Sequence, residues 1–142
     1  MGKIKICIII GMIISLVGCS TIKSIRIPEE KSLSWVKTAY VAKHPKSKNS
    51  IDVYIQEALA ERGLQVKTGP DDKIPEDVDI YVKYVDRWQW DMAMYLLSLK
   101  IIVYDGKTNV LIKLAEYKNA VFHSFPDPSV KTKQVVDLIF KE

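Results

Sequence analysis

Cysteine is nearly absent from these 142 residues: there are two, Cys7 and Cys19, and both lie at the N-terminal end. With none beyond position 19, the rest of the chain forms no internal disulfide and must be held by a hydrophobic core alone. Histidine is as scarce. His44 and His123 stand in no HxxxH or HExxH spacing, so the sequence offers no basis for a histidine metal site. Ser124 follows His123 directly, and neighbours in an extended strand point to opposite faces, so these two cannot act on each other as nucleophile and base. The six glycines form no phosphate-cradling loop. Asp71, Asp72, Glu76, Asp77 and Asp79 lack the ordered spacing of a calcium loop and read as a solvated acidic turn. The groups an enzyme needs are therefore thinly supplied, and no cofactor pattern is present.

What the chain does have begins at its start. Lys3 and Lys5 precede an apolar run from Ile6 to Val17, and Gly18 stands immediately before Cys19. A charged start, an apolar middle and a small residue at the end is the layout of a cleaved signal. As a helix the apolar run would cover roughly 18 Å of a hydrocarbon core about 30 Å thick, and Ser20, Thr21, Lys23, Ser24 and Arg26 follow at once. The competing reading is an uncleaved N-terminal anchor. Leu16, Val17, Gly18 and Cys19 resemble, position by position, the lipobox of bacterial lipoprotein signal peptides. That resemblance implies a diacylglycerol thioether on Cys19 and cleavage just before it. Acyl chains at about 0.8 kcal/mol per buried methylene would make the attachment permanent. By the same analogy Ser20, in place of Asp, favours the periplasmic face of the outer membrane.

Removing residues 1–18 takes away two lysines and no acid from a formal net charge of +4. So balanced a remainder argues against a nucleic-acid partner, which demands a concentrated basic face. Bases gather between Lys23 and Lys48, where the acids are Glu29 and Glu30, an excess suited to a tether near anionic headgroups. Residues 19–32, polar and carrying Pro28, read as a lipidated flexible tether. Residues 33–142 read as a single domain of comfortable size.

Within it, SWVKTAYVA predicts a strand that ends before the turn-like KHPKSKNS. Asn49 or Ser50 can cap a helix through Ile51, Tyr54, Ile55, Ala58 and Leu59, with Gly63 just past its end. LQVK predicts a strand parallel to the first, and TGPDDKIPED a loop. In VDIYVKYVDRWQW the even positions Val78, Ile80, Val82 and Tyr84 are apolar; further on the apolar set is odd, Leu97, Leu99, Ile101 and Val103. The change of parity requires a turn or bulge, placed between Asp86 and Ala93. DGKTN marks a hairpin, and FPDPS offers Asp127 as cap and Pro128 as first residue of a closing helix. The expected fold is α+β: a two-layer sandwich of one mixed or antiparallel sheet, about five strands, with two helices on one face.

The most distinctive run is WQWDMAMYL. Bulky Trp88, Trp90 and Tyr95 can brace a hairpin corner, with Asp91 accepting hydrogen bonds in the turn. The same residues can instead form a candidate binding rim for a sugar ring or a partner peptide. Parity favours a split, with Trp88 continuing the core and Trp90 at the rim with Asp91 and Tyr95. Here the chain resembles a family of small bacterial lipoproteins of uncharacterised function, through Cys19, Gly63, Trp90, Asp91, Tyr95, Leu96, Ala115, Glu116, Tyr117 and the closing KTKQVVDLIF. It departs from that family after AEY, where KNAVFHSF has no glycine. The resemblance implies an architecture and an address, and brings no reaction with it. The leading expectation is a non-catalytic, membrane-tethered envelope lipoprotein that binds a protein or ligand, an accessory of an envelope complex. Alternatives are an immunity-type lipoprotein neutralising a periplasmic toxin, and a small envelope hydrolase.

Overall fold

The computed structural model describes residues 20–25, 32–47, 49–120 and 125–141. Six strands, β1 (Thr21–Ile25), β2 (Thr38–Lys43), β3 (Gln65–Pro70), β4 (Ile80–Asp91), β5 (Ala93–Asp105) and β6 (Leu111–Lys118), form one sheet in the order β1-β6-β5-β4-β2-β3. Helices α1 (Ile51–Ala60) and α2 (Pro128–Ile139) pack on each other and on one face. β2 is parallel to both β3 and β4, and the remaining pairings are antiparallel. This is the expected α+β sandwich with one strand more than the five read from the sequence. The sixth is β1, which lies inside the stretch expected to be a tether. Its β-branched Thr21, Ile22 and Ile25 pair along β6, and Ile22, opposite Tyr117, packs against the core.

The helix signals act as their chemistry suggests. Asp127 turns its carboxylate to accept from the N–H groups of Ser129 and Val130, with Pro128 as the first helical residue. Ser50 occupies the cap position of α1 without a side-chain cap bond. Gly63 ends that helix region at φ +86°, a left-handed conformation that glycine adopts at little cost. Ile51, Ile55, Ala58 and Leu59 of α1, with Val135, Val136 and Ile139 of α2, bury their stripe against Val41, Ile80, Val82, Leu99, Ile101, Val103, Ala115 and Tyr117.

Two irregularities lie along the β4–β5 hairpin, and one of them changes the parity. The β4–β5 turn closes on Met92, at φ 59°, within the expected window. The switch of face itself comes later. Arg87 pairs with Ser98 but Trp88 pairs with Leu96, leaving Leu97 as an extra residue in β5. Up to Leu96 the even positions face the helices; from Leu99 onward the odd ones do.

The opposite face carries a smaller cluster of Tyr40, Ala42, Val78 and Tyr81, with Ile74 and Tyr104 against it. Tyr81 and Tyr104, opposite each other in the register, stack with centroids 4.9 Å apart.

Candidate functional site

The sheet is uneven in length, and that unevenness makes the site. β2 pairs with β4 from Ala39 to Val41, opposite Ile80 to Val82, and β6 pairs with β5 as far as Ser98 opposite Lys118. Beyond that row β4 and β5 are joined to no further strand among the described residues, and Trp88 to Leu96 forms a two-stranded arm closed by Met92.

The arm has two faces. On the helix side Leu96 is fully buried and Trp88 is half-buried against the core, its indole N–H donating to Asp86 Oδ2 at 2.6 Å. Farther out on that side Trp90 faces Met94 across the strands; their exposures are 69% and 54%, and that of Met92 at the apex is 86%. On the other side Gln89 faces Tyr95. Tyr95 is not a rim residue: it is buried, in an edge-to-face contact with Phe125 at 5.5 Å. Asp91, half-buried, stands beside the turn. The expected split is present in the exposures of the two tryptophans, while Tyr95 parts from the rim because Phe125, far along the chain, covers it. Cys19, His123 and Ser124 lie outside the described residues.

At the root of the arm is a cleft of about 380 Å³ lined by His44, Lys46, Ser47, Asn49, Tyr84, Val85, Asp86 and Trp88. Burial pushes the Tyr84 hydroxyl up from its ordinary pKa, against the side chain of Ser47, and the carboxylates of Asp52 and Asp86 add to the rise. Asp52 is buried at the start of α1 and ion-paired to Lys43 at 3.0 Å. His44 Nδ1 accepts from the Lys46 N–H within its own turn. The sequence offers little sign of this cleft, because His44, Lys46, Ser47 and Asn49 meet the 84–88 segment only through the β2–β4 pairing. Asp86 and Trp88, two apart on one strand face, were the one local signal.

The acidic turn has a structural part. Asp79 Oδ2 accepts from the N–H groups of Lys37 and Thr38, both at 2.9 Å, and Thr38 Oγ1 accepts from the Asp79 N–H. Those backbone donors hold the Asp79 carboxyl below the usual carboxylate range. Among the described residues no three His, Cys, Asp or Glu side chains are grouped to hold a metal ion, and no helix is long and apolar enough to cross a membrane.

No family model matches the chain, and neither does any curated protein. Solved structures do share its fold. A single-substitution form of the PelC dodecamer from Paraburkholderia phytofirmans superposes with a TM-score of 0.60 at 9% identity, over 85% of this chain and 95% of that one. A second PelC dodecamer structure gives 0.56 at 10%, over 85% and 94%. A PDZ domain protein from Parabacteroides distasonis gives 0.53 at 12%, over 90% of this chain but 37% of that longer one. At such identities the likeness is one of fold.

Proposed function

We propose that the chain is a non-catalytic lipoprotein of the bacterial cell envelope, tethered through a lipid on Cys19 and serving as an accessory that binds a partner in an envelope complex. The observation that carries this reading is the run Leu16, Val17, Gly18, Cys19, which leads within two residues into a folded strand at Thr21. A domain attached so closely works at the membrane surface. The non-catalytic half is supported by the cleft, where the one histidine is engaged in its own turn and Asp86 holds Trp88. The sharing of a fold with PelC, described as a dodecamer, makes a second copy of this chain one admissible partner.

Labelling cells with a palmitate analogue should mark the wild type and leave Cys19→Ser unmarked; equal labelling of both sinks the address. A photocrosslinking residue placed at Val85, exposed on the cleft rim, should give a discrete adduct in intact cells that is lost in the Cys19→Ser background. An adduct formed equally well without the lipid, or none, removes the accessory role.

A further inference from the structure

The register of the sheet fixes where the arm points relative to the lipid. Thr21 pairs with Lys118, Lys118 with Ser98, and Ser98 with Arg87, so these four residues form one row across four strands. The arm projects beyond this row. β1 runs from Thr21 away from the arm, so the chain preceding Thr21 leaves the sheet on the arm's side. Cys19 is two residues before Thr21, a reach of at most about 7 Å. The arm's apex, Met92, is six residues beyond Ser98, or about 20 Å at strand rise. A lipid on Cys19 therefore holds this end of the sheet against the bilayer, and the arm extends farther toward it than the anchor itself.

Its chemistry suits that position. Trp90 and Met94 are cross-strand partners, Met92 is the turn residue between them, and all three are large, apolar and exposed, an arrangement that a single scattered surface residue does not create. The other side carries Gln89 and Asp91 together with Tyr95, whose ring Phe125 covers. The exposed apolar groups of the arm proper thus gather on the side of Trp90 and at its apex, suited to lying in the interface rather than crossing the hydrocarbon. Tryptophan favours that depth. Behind it, on the sheet face away from the helices, Arg87 and Lys118 stand in the boundary row, with Lys100 and Lys23 in the next. Glu116, ion-paired to Lys118 at 3.2 Å, is the acid among them. That balance complements anionic headgroups.

We infer that the β4–β5 arm is a membrane-docking element, seating Trp90, Met92 and Met94 in the lipid interface beside the anchor. This rests on the lipid-anchor reading. The test uses the lipidated protein in vesicles of phosphatidylethanolamine and phosphatidylglycerol whose acyl chains carry bromine, a contact quencher of tryptophan. Trp35→Phe, which keeps Trp90, should lose at least twofold more fluorescence to the brominated lipid than Trp90→Phe does. Met92→Ser with Met94→Ser should bring that quenching down toward the Trp90→Phe level. Equal quenching of the two tryptophan variants overturns the docking. So does a Trp90 shielded from acrylamide but untouched by bromine, which would place the arm on a protein. Palmitate labelling of the same preparations separates the two failures: a labelled protein without quenching rejects the arm alone, and an unlabelled wild type rejects the address and the docking with it.

Discussion

β4 is one strand with two halves that resemble each other in sequence and differ in circumstance. Ile80, Val82 and Tyr84 in the first half, and Trp88 and Trp90 in the second, hold the same alternating positions and face the same side. The first half lies between β2 and β5 beneath the helices, and its three residues are buried. The second half has β5 alone for a neighbour among the described residues, so burial fades outward, from half-buried Trp88 to exposed Trp90. Alternation sets which side a residue faces; the length of the neighbouring strands decides whether anything covers it.

The sharpest break of this comparison is made in the body. Leu59 is 1% exposed at the centre of the core, and Leu59→Asp puts an unpaired charge there. The expected loss is at least about 4 kcal/mol, a large part of a typical total of about 5–15 kcal/mol. Urea unfolding followed by circular dichroism should find the variant largely unfolded at neutral pH. A midpoint near that of the wild type would show that the helix–sheet core is misplaced.

At the root of the arm the effect should be intermediate. Trp88→Ala removes a half-buried ring and leaves the Asp86 carboxylate without the indole donor, a cost of roughly 2 kcal/mol. A loss as large as that of Leu59→Asp would mean that the core extends well into the arm.

A smaller effect, tied to pH, is expected at the foot of β2, away from the arm. The folded Asp79 carboxyl is held below its unfolded value by the Lys37 and Thr38 N–H groups. Its contribution is thus present above the unfolded pKa and is lost as pH falls through the folded one, that is, below about pH 4. Asp79→Asn should cost about 1 kcal/mol at neutral pH and less at pH 3. The gap in urea midpoint between variant and wild type should therefore narrow on acidification, and a constant gap would show that the two N–H contacts do not depend on the charge.

Much of this fold was legible because its signals are local: a proline and aspartate opening α2, a glycine closing α1, a parity change announcing an irregular β4–β5 hairpin. What escaped was set by distant partners. The five residues of β1 set Lys23 and Ser24 among β-branched side chains and declare themselves only by pairing with β6. Tyr95 carries no mark of the Phe125 ring that covers it. The arm was visible as a distinctive run of aromatics, yet its projection depends on where β2 and β6 stop pairing, which no stretch of β4 or β5 records.

The smallest effect tests the outer half directly. Trp90 is 69% exposed and pairs with Met94, itself mostly exposed, so truncation to alanine removes little buried area and opens no cavity. In the isolated domain Trp90→Ala should leave stability within about 0.5 kcal/mol of wild type, against roughly 2 kcal/mol for its neighbour two residues inward. That contrast is what a residue kept for contact with something outside the domain should show. A ring that large, contributing little to the fold, fits the proposed contact with a membrane beside a lipid on Cys19. Equal and large losses for the two tryptophans would instead make the arm a structural brace along its whole length, and the exposed apex would have no binding role to account for it.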